Sequence, residues 1–209
     1  AEAKQRGVYR YCLVASGRGP NDRETEKLAS IVRRITEEIG IRTCLSAGIV
    51  DNDKARKLKD AGLDRLNHNL NTSESHYAEI CSTHTFQDRV NTLLAARRHG
   101  VEPCSGLIVG MGETRDDLID VALKLRELAV PSIPVNFLIP IEGNPVQGDG
   151  SLTPEACLRA LVMLRLVNPR AEVRISAGRE GHLRSLGALA LWPANSLFVE
   201  GYLTTRGDD

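Results

Sequence analysis

Short β-branched runs alternate with helix-period stretches along the whole chain, and that alternation restricts the fold more than any other feature. The strand candidates are Val8–Ala15, Arg42–Ala47, Asp64–Leu70, Glu102–Val109, Ser132–Ile139, Glu172–Ala177 and Ser196–Glu200. Between the first two, Leu28, Ile31, Val32, Ile35 and Ile39 recur at helical spacing, and Gly40 closes the helix. The next helix turns Ala55, Leu58 and Ala61 inward. Thr85 then opens a helix that carries Phe86, Val90, Leu93 and Leu94 on its apolar face. Thr114 opens one with Leu118, Ala122 and Leu125, and Thr153-Pro154-Glu155 another with Leu158, Leu161, Val162 and Leu166. Strand, helix, strand repeated in this way demands parallel pairing with right-handed crossovers. An open doubly wound sheet and a (β/α)8 barrel both satisfy it.

The polarity of the strands separates the two. Central strands of an open parallel sheet read almost wholly apolar. Here Cys12, Cys44, Asn67, Asn69, Cys104, Asn136 and Arg174 fall inside strand candidates. Alternate strand residues face one way, so Asn67 and Asn69 share a side, whereas His68 between them faces the helices. A barrel gathers inward polar groups near the carboxyl ends of its strands. The sequence therefore predicts an α/β fold of the (β/α)8 barrel type. It is incomplete, with seven strand candidates where a closed barrel has eight. No linker, repeat or low-complexity segment interrupts it, so residues 1–209 are read as one domain.

Composition narrows the partners. Lys plus Arg and Asp plus Glu both number 27, so no general basic field exists for gripping nucleic acid or an anionic membrane. No apolar run reaches the roughly 18 residues of a membrane span. The start, Ala1-Glu2-Ala3-Lys4-Gln5-Arg6, is too charged for a signal peptide and lacks Met, which points to a processed chain or a piece of a longer one. The odd number of widely spaced cysteines, five in all, argues against a disulfide framework and for a reducing, cytoplasmic setting.

Cys12, Cys44 and Cys104 occupy comparable places in three strand–helix units. Pointing inward, they form a soft ligand set that suits zinc or an iron–sulfur cluster. Each alone reads as an inert core thiol. Cys81 and Cys157 lie on helical stretches and read as packing, and Trp192 before Pro193 reads as core or interface.

At this point several long blocks resemble the biotin synthases, a family of radical S-adenosylmethionine enzymes. They are Arg10-Tyr11-Cys12-Leu13-Val14-Ala15-Ser16-Gly17-Arg18-Gly19-Pro20, Asn67-His68-Asn69-Leu70-Asn71-Thr72, Pro103-Cys104-Ser105-Gly106-Leu107-Ile108-Val109-Gly110 and Val173-Arg174-Ile175-Ser176-Ala177-Gly178-Arg179-Glu180. The resemblance continues through Ala194-Asn195-Ser196-Leu197-Phe198 to Leu203-Thr204-Thr205 and includes the family's C-terminal biotin and thiamin synthesis portion.

The resemblance implies sulfur insertion into dethiobiotin to give biotin. It implies S-adenosylmethionine, a 4Fe–4S and a 2Fe–2S cluster, an electron donor such as flavodoxin or ferredoxin, and a homodimer. Cys12, Cys44, Cys104 and Arg174 match the ligands of the 2Fe–2S cluster. Arginine is a poor ligand by general chemistry, so from the residues alone Arg174 reads as a buried ion-pair partner. Gly106, Ile108, Gly110 and Glu113 match a motif used against the adenosyl group, although the bare pattern also fits a turn before the Thr114 cap. Asn67, Asn69 and Asn71 match the strand that reaches ribose and substrate, with Asn71 where the family often has Asp. Asn69 and Asn136 are implied to position substrate. One departure stands out: the family's Cys-x-x-x-Cys-x-x-Cys, which holds the 4Fe–4S cluster, occurs nowhere in the sequence. The expectation is a chain without its first strand and cluster loop, with an open seam beside Val8–Ala15 and inactive by itself. The alternative is a non-catalytic barrel remnant that binds a ligand.

Overall fold

The computed structural model describes residues 1–144, 146–148, 150 and 152–198. Helix α1 (Glu2–Gln5) precedes strand β1 (Arg10–Val14). Helix α2 (Asp22–Arg34) runs on into a π-helical turn, Ile35–Ile39, before β2 (Arg42–Ser46). Then come α3 (Asn52–Asp60), β3 (Arg65–Asn67), α4 (Tyr77–Ile80), α5 (Phe86–Arg98), β4 (Glu102–Cys104) and β5 (Leu107–Val109). After these follow α6 (Arg115–Glu127), β6 (Ser132–Phe137), α7 (Pro154–Val167), β7 (Glu172–Ile175), α8 (Arg179–Leu183) and β8 (Ser196–Leu197). The fold class is the expected one: α/β, in the strand–helix succession of an incomplete (β/α)8 barrel.

By its contacts the chain divides into two compact units. The first holds residues 1–68 and 87–104, with β1 to β4 in sequence order and every pair parallel. Its helices start where a side chain can satisfy the free N–H groups of the first turn. Asn21 and Glu24 form a reciprocal capping box on α2, and Asp51 accepts from the Lys54 N–H on α3. One sheet face carries Leu45 and Leu66, with Leu13 against its margin. These pack on Val32, Ala55, Leu58 and Ala96 from the helices. Such burial stabilises by roughly 1.5–3 kcal/mol for each large side chain. The other face is therefore left for the polar set.

The second unit holds residues 69–86 and 105 onward. Its strands β5, β6, β7 and β8 pair in parallel, and Leu107 also bridges to Asn71. Leu107, Ile133, Val135, Phe137, Val173 and Ile175 are buried, as are Ala122, Leu125, Leu161 and Leu164 of α6 and α7.

Several expectations change in the structure. The predicted strand Glu102–Val109 is two strands, β4 and β5, separated at Ser105-Gly106. A Cβ on Gly106 would stand 1.7 Å from the Pro134 carbonyl oxygen, so the backbone turns there at a distance only glycine allows. The predicted strand Asp64–Leu70 shrinks to Arg65–Asn67, because the backbone beyond Asn67 leaves the ladder toward the left-handed Asn71 (φ 71°). Only Ser196–Leu197 of the last predicted strand is seen; residues 199–200 and Leu203-Thr204-Thr205 lie outside the described residues. Ile31, Leu94, Val162 and Leu166 are exposed rather than inward. On α7 the buried face is Cys157, Ala160, Leu161 and Leu164. Trp192 is 87% exposed, which removes it from the core. No helix among the described residues is long and apolar enough to cross a membrane.

Candidate functional site

Parallel register builds the site in the first unit. Cys12 pairs with Cys44, Cys44 with Arg65, and Asn67 with Cys104. Register partners point to the same side, as do residues two apart on one strand. Arg10, Cys12, Cys44, Arg65, Asn67, Glu102 and Cys104 therefore share one face, opposite the leucines that meet the helices. None of the three cysteines points to the helix side. Cys44 and Cys104 are buried, and Cys12 is exposed on the first strand, β1.

This face is concave. Strands β1 and β4 stand three spacings apart, roughly 14 Å in a flat sheet. Yet the Arg10 guanidinium lies 3.5 Å from the Glu102 carboxylate. Glu102 also holds Arg65, its register partner, in a second ion pair. The thiols feel one another within this concavity. Hydrogen bonding with Cys12, burial and the charges of Cys104 and Cys12 push the Cys44 thiol well up, and the Arg65 guanidinium pulls the other way.

Two observations bear on what the face can hold. The Arg10 Nε donor and the Asn67 Oδ1 acceptor are buried here with no hydrogen-bond partner, and such groups are rarely left without one. Among the described residues, no three His, Cys, Asp or Glu side chains stand close enough to hold one metal ion. A single zinc is therefore not prearranged. A two-iron cluster takes its ligands in pairs, one pair per iron, and Cys12 with Cys44 already makes such a pair. The donor set and the unsatisfied Arg10 Nε–H fit that group, whereas the Asn67 Oδ1 acceptor needs a donor from elsewhere.

In the second unit, Arg174 takes up a position that sequence reading left open. Its guanidinium pairs with Glu172, its Nε donates to the Ser196 hydroxyl at 3.1 Å, and it lies 5.2 Å from the centre of the Phe198 ring. Ion pairing is thus its observed state.

The Gly106–Glu113 segment is organised by its own carboxylate. Glu113 accepts the Gly110 and Met111 N–H groups, both at 2.7 Å, fixing the loop ahead of the Thr114 cap. Gly106 N–H donates to Asn69 Oδ1 at 3.1 Å, and Asn71 exchanges backbone bonds with Gly106 and Ile108. Asn69, Asn71 and the glycine motif are therefore one connected structure. Asn136 is buried, but its amide is satisfied: Nδ2 donates to the Leu107 carbonyl at 3.3 Å and Oδ1 accepts from Ala177 N–H at 3.2 Å. Burial of this amide does not by itself require a ligand.

Sequence reasoning missed Arg10, Arg65 and Glu102. The signal was the period of two: Arg65 precedes Asn67, and Glu102 precedes Cys104, by two residues. It also misplaced Cys81. That residue follows α4 in extended conformation, with Sγ 3.5 Å from His84 Nδ1 and 3.6 Å from the Thr83 hydroxyl, so it is not helix packing.

Comparison with known proteins follows the same lines. The Radical SAM superfamily profile matches residues 1–125, and that of the Biotin and Thiamin Synthesis associated domain matches residues 134–209. The chain is 66% identical over 206 residues to a biotin synthase of Acaryochloris marina, covering 99% of this chain and 60% of that protein. It is 57% identical over 208 residues to a biotin synthase of Leptospira interrogans, covering 100% of this chain and 59% of that one. The chain thus spans about three-fifths of the length of these relatives. Among solved structures it is similar to methylornithine synthase (TM-score 0.79, 20% identity, 97% of this chain and 60% of the other). It is similar also to the hydrogenase maturase HydG of Carboxydothermus hydrogenoformans (TM-score 0.79, 18% identity, 98% and 52%). At such identities these two likenesses speak for the fold alone.

Proposed function

Because this chain belongs to the radical S-adenosylmethionine superfamily, we propose that it is the larger part of a biotin synthase, which inserts sulfur into dethiobiotin to give biotin. The convergence of Cys12, Cys44 and Cys104 on one concave face carries the reading. These thiols would hold a 2Fe–2S cluster, and the family resemblance implies Arg174 as its fourth ligand. Such a cluster, when bound, supplies the sulfide that the substrate takes up.

The chain's own residues then bind and orient. The Gly106, Ile108 and Gly110 backbone would take the adenosyl group of S-adenosylmethionine, in a loop that Glu113 stiffens through the Gly110 and Met111 N–H groups. Asn67, Asn69 and Asn71 offer amide donors and acceptors to ribose and substrate. Asn136, whose other bonds fix the strand, would offer its remaining Nδ2 proton to the ureido ring. Holding reactants at fixed distance and keeping water away is the protein's share of radical chemistry. The 4Fe–4S ligands are absent from these 209 residues, so cleavage of S-adenosylmethionine belongs to the whole protein. An electron donor such as flavodoxin or ferredoxin, and a homodimer, complete the proposal.

The test is a pair of variants in the whole protein. Cys44→Ala is expected to lose the visible absorption of the 2Fe–2S cluster and biotin formation, and Cys81→Ala to keep both. Equal loss in the two would remove the ligand assignment.

A further inference from the structure

The concave face of the first unit combines three thiols with two guanidinium groups held by one carboxylate. Arg65 stands opposite Cys44 in the β2–β3 register, and its side chain is only 6% exposed. Its carboxylate partner, Glu102, also binds Arg10, which precedes Cys12 by two residues on the same face. Two guanidinium groups thus meet at one carboxylate. Taking charge out of water is costly unless opposite charge faces it. Three thiolates around a cluster are charge of that sign, and the buried Arg10 Nε donor without a partner points to the same vacant role.

We propose that Arg65, oriented by Glu102, is a positioning residue that supplies countercharge to the cluster held by Cys12, Cys44 and Cys104. The proposal rests on the cluster reading given above. Glu102 sets the angle of the guanidinium and moderates its charge, so removing either partner changes the field at the site in opposite directions. Removing Arg65 takes away a cation and disfavours the reduced, more negative cluster. Removing the charge of Glu102 makes the potential at the site more positive and favours reduction.

The experiment uses the whole protein with its clusters, comparing wild type, Arg65→Met, Arg65→Lys and Glu102→Gln. The readouts are iron and acid-labile sulfide content, the half-life of the 2Fe–2S absorption under chelator challenge, and the cluster's reduction potential. Arg65→Met is expected to lose the cluster at least about ten-fold faster, within the range for outer-shell residues at metal sites, and to lower the potential. Arg65→Lys is expected to recover most of both losses, and Glu102→Gln to raise the potential. Potentials and half-lives unchanged across all four proteins overturn the role of Arg65. So does loss of cluster in every variant with an unshifted potential in the clusters that remain, which is how a merely structural role behaves. Cluster absorption that survives Cys44→Ala overturns the cluster reading itself and the role of Arg65 with it.

Discussion

Cys81 and Cys157 carry the same thiol in opposite surroundings, one half-buried in a turn and one buried on a helix. Burial opposes ionisation at Cys81, but hydrogen bonds from the Thr83 hydroxyl, the Thr83 and His84 backbone N–H groups and the Tyr77 side chain outweigh it and bring the thiol down to about 7. Burial alone pushes Cys157 up to about 12. The thiolate is the reactive form, so iodoacetamide is expected to label Cys81 with a pH midpoint near 7 while native Cys157 stays unlabelled. Thr83→Ala should move that midpoint upward; a Cys81 midpoint at the ordinary thiol value would refute the cluster of donors. The stability sign follows. A thiol favoured in its charged form contributes stability above its ordinary value, and that contribution is lost as pH falls through about 7. Sequence could not separate these two cysteines, since the donors on Cys81 come from a turn set by local backbone. It did place Cys12, Cys44 and Cys104 together, because strand register follows from hydrophobic alternation. Arg65 and Glu102 escaped notice because a charged residue at the start of a strand reads as an exposed end.

Among the elements, β5 and α6 depend on single residues. Gly106→Ala puts a methyl group against the Pro134 backbone, which has little room to give. The cost is expected at or beyond the top of the roughly 1–3 kcal/mol typical of overpacking, read as a lowered urea midpoint. Helix α6 is tied by Asp117, whose carboxylate accepts from the Ser73, Thr114 and Ser75 hydroxyls. These bonds hold its pKa well below the usual carboxylate range. Its stabilisation is therefore complete above about pH 4 and lost as pH falls toward the lowered value. The gap in unfolding free energy between wild type and Asp117→Asn should narrow below that pH; a gap that is constant with pH would show that the charge is irrelevant. Thr114→Ala should cost about 1 kcal/mol through the lost cap. Asn21 and Asp51, which cap α2 and α3, went unremarked, whereas the caps of α6 and α7 were legible at Thr114 and Thr153. The inward face of α7 was not: Leu158, Val162 and Leu166 compete with Cys157, Leu161 and Leu164 on a helix apolar nearly all round, and periodicity cannot rank two apolar faces.

At the scale of the whole molecule, strand–helix alternation narrowed the fold to the parallel α/β class, and the polar residues within the strands chose the barrel. What it could not give was the grouping of contacts into two units, one of which is discontinuous in sequence. The biotin synthase reading makes a prediction at this scale too. The reading frame that encodes Ala1 should continue upstream into a Cys-x-x-x-Cys-x-x-Cys segment. Sequencing across that junction decides the matter, and a native start codon immediately before Ala1 would favour the non-catalytic remnant. Discontinuity of the first unit has its own consequence in the order of synthesis. Residues 69–86 belong to the second unit, and Cys104 is made only after them. The 60 residues from Cys44 to Cys104 take about 3–12 s at ribosomal rates of roughly 5–20 residues per second. Throughout that interval the chain carries Cys12 and Cys44, register partners in the finished sheet, while the strand of the third thiol is still unmade. A pair of neighbouring thiols is the raw material of a disulfide, so the chain meets its first oxidative hazard during translation, before the finished site exists to occupy them.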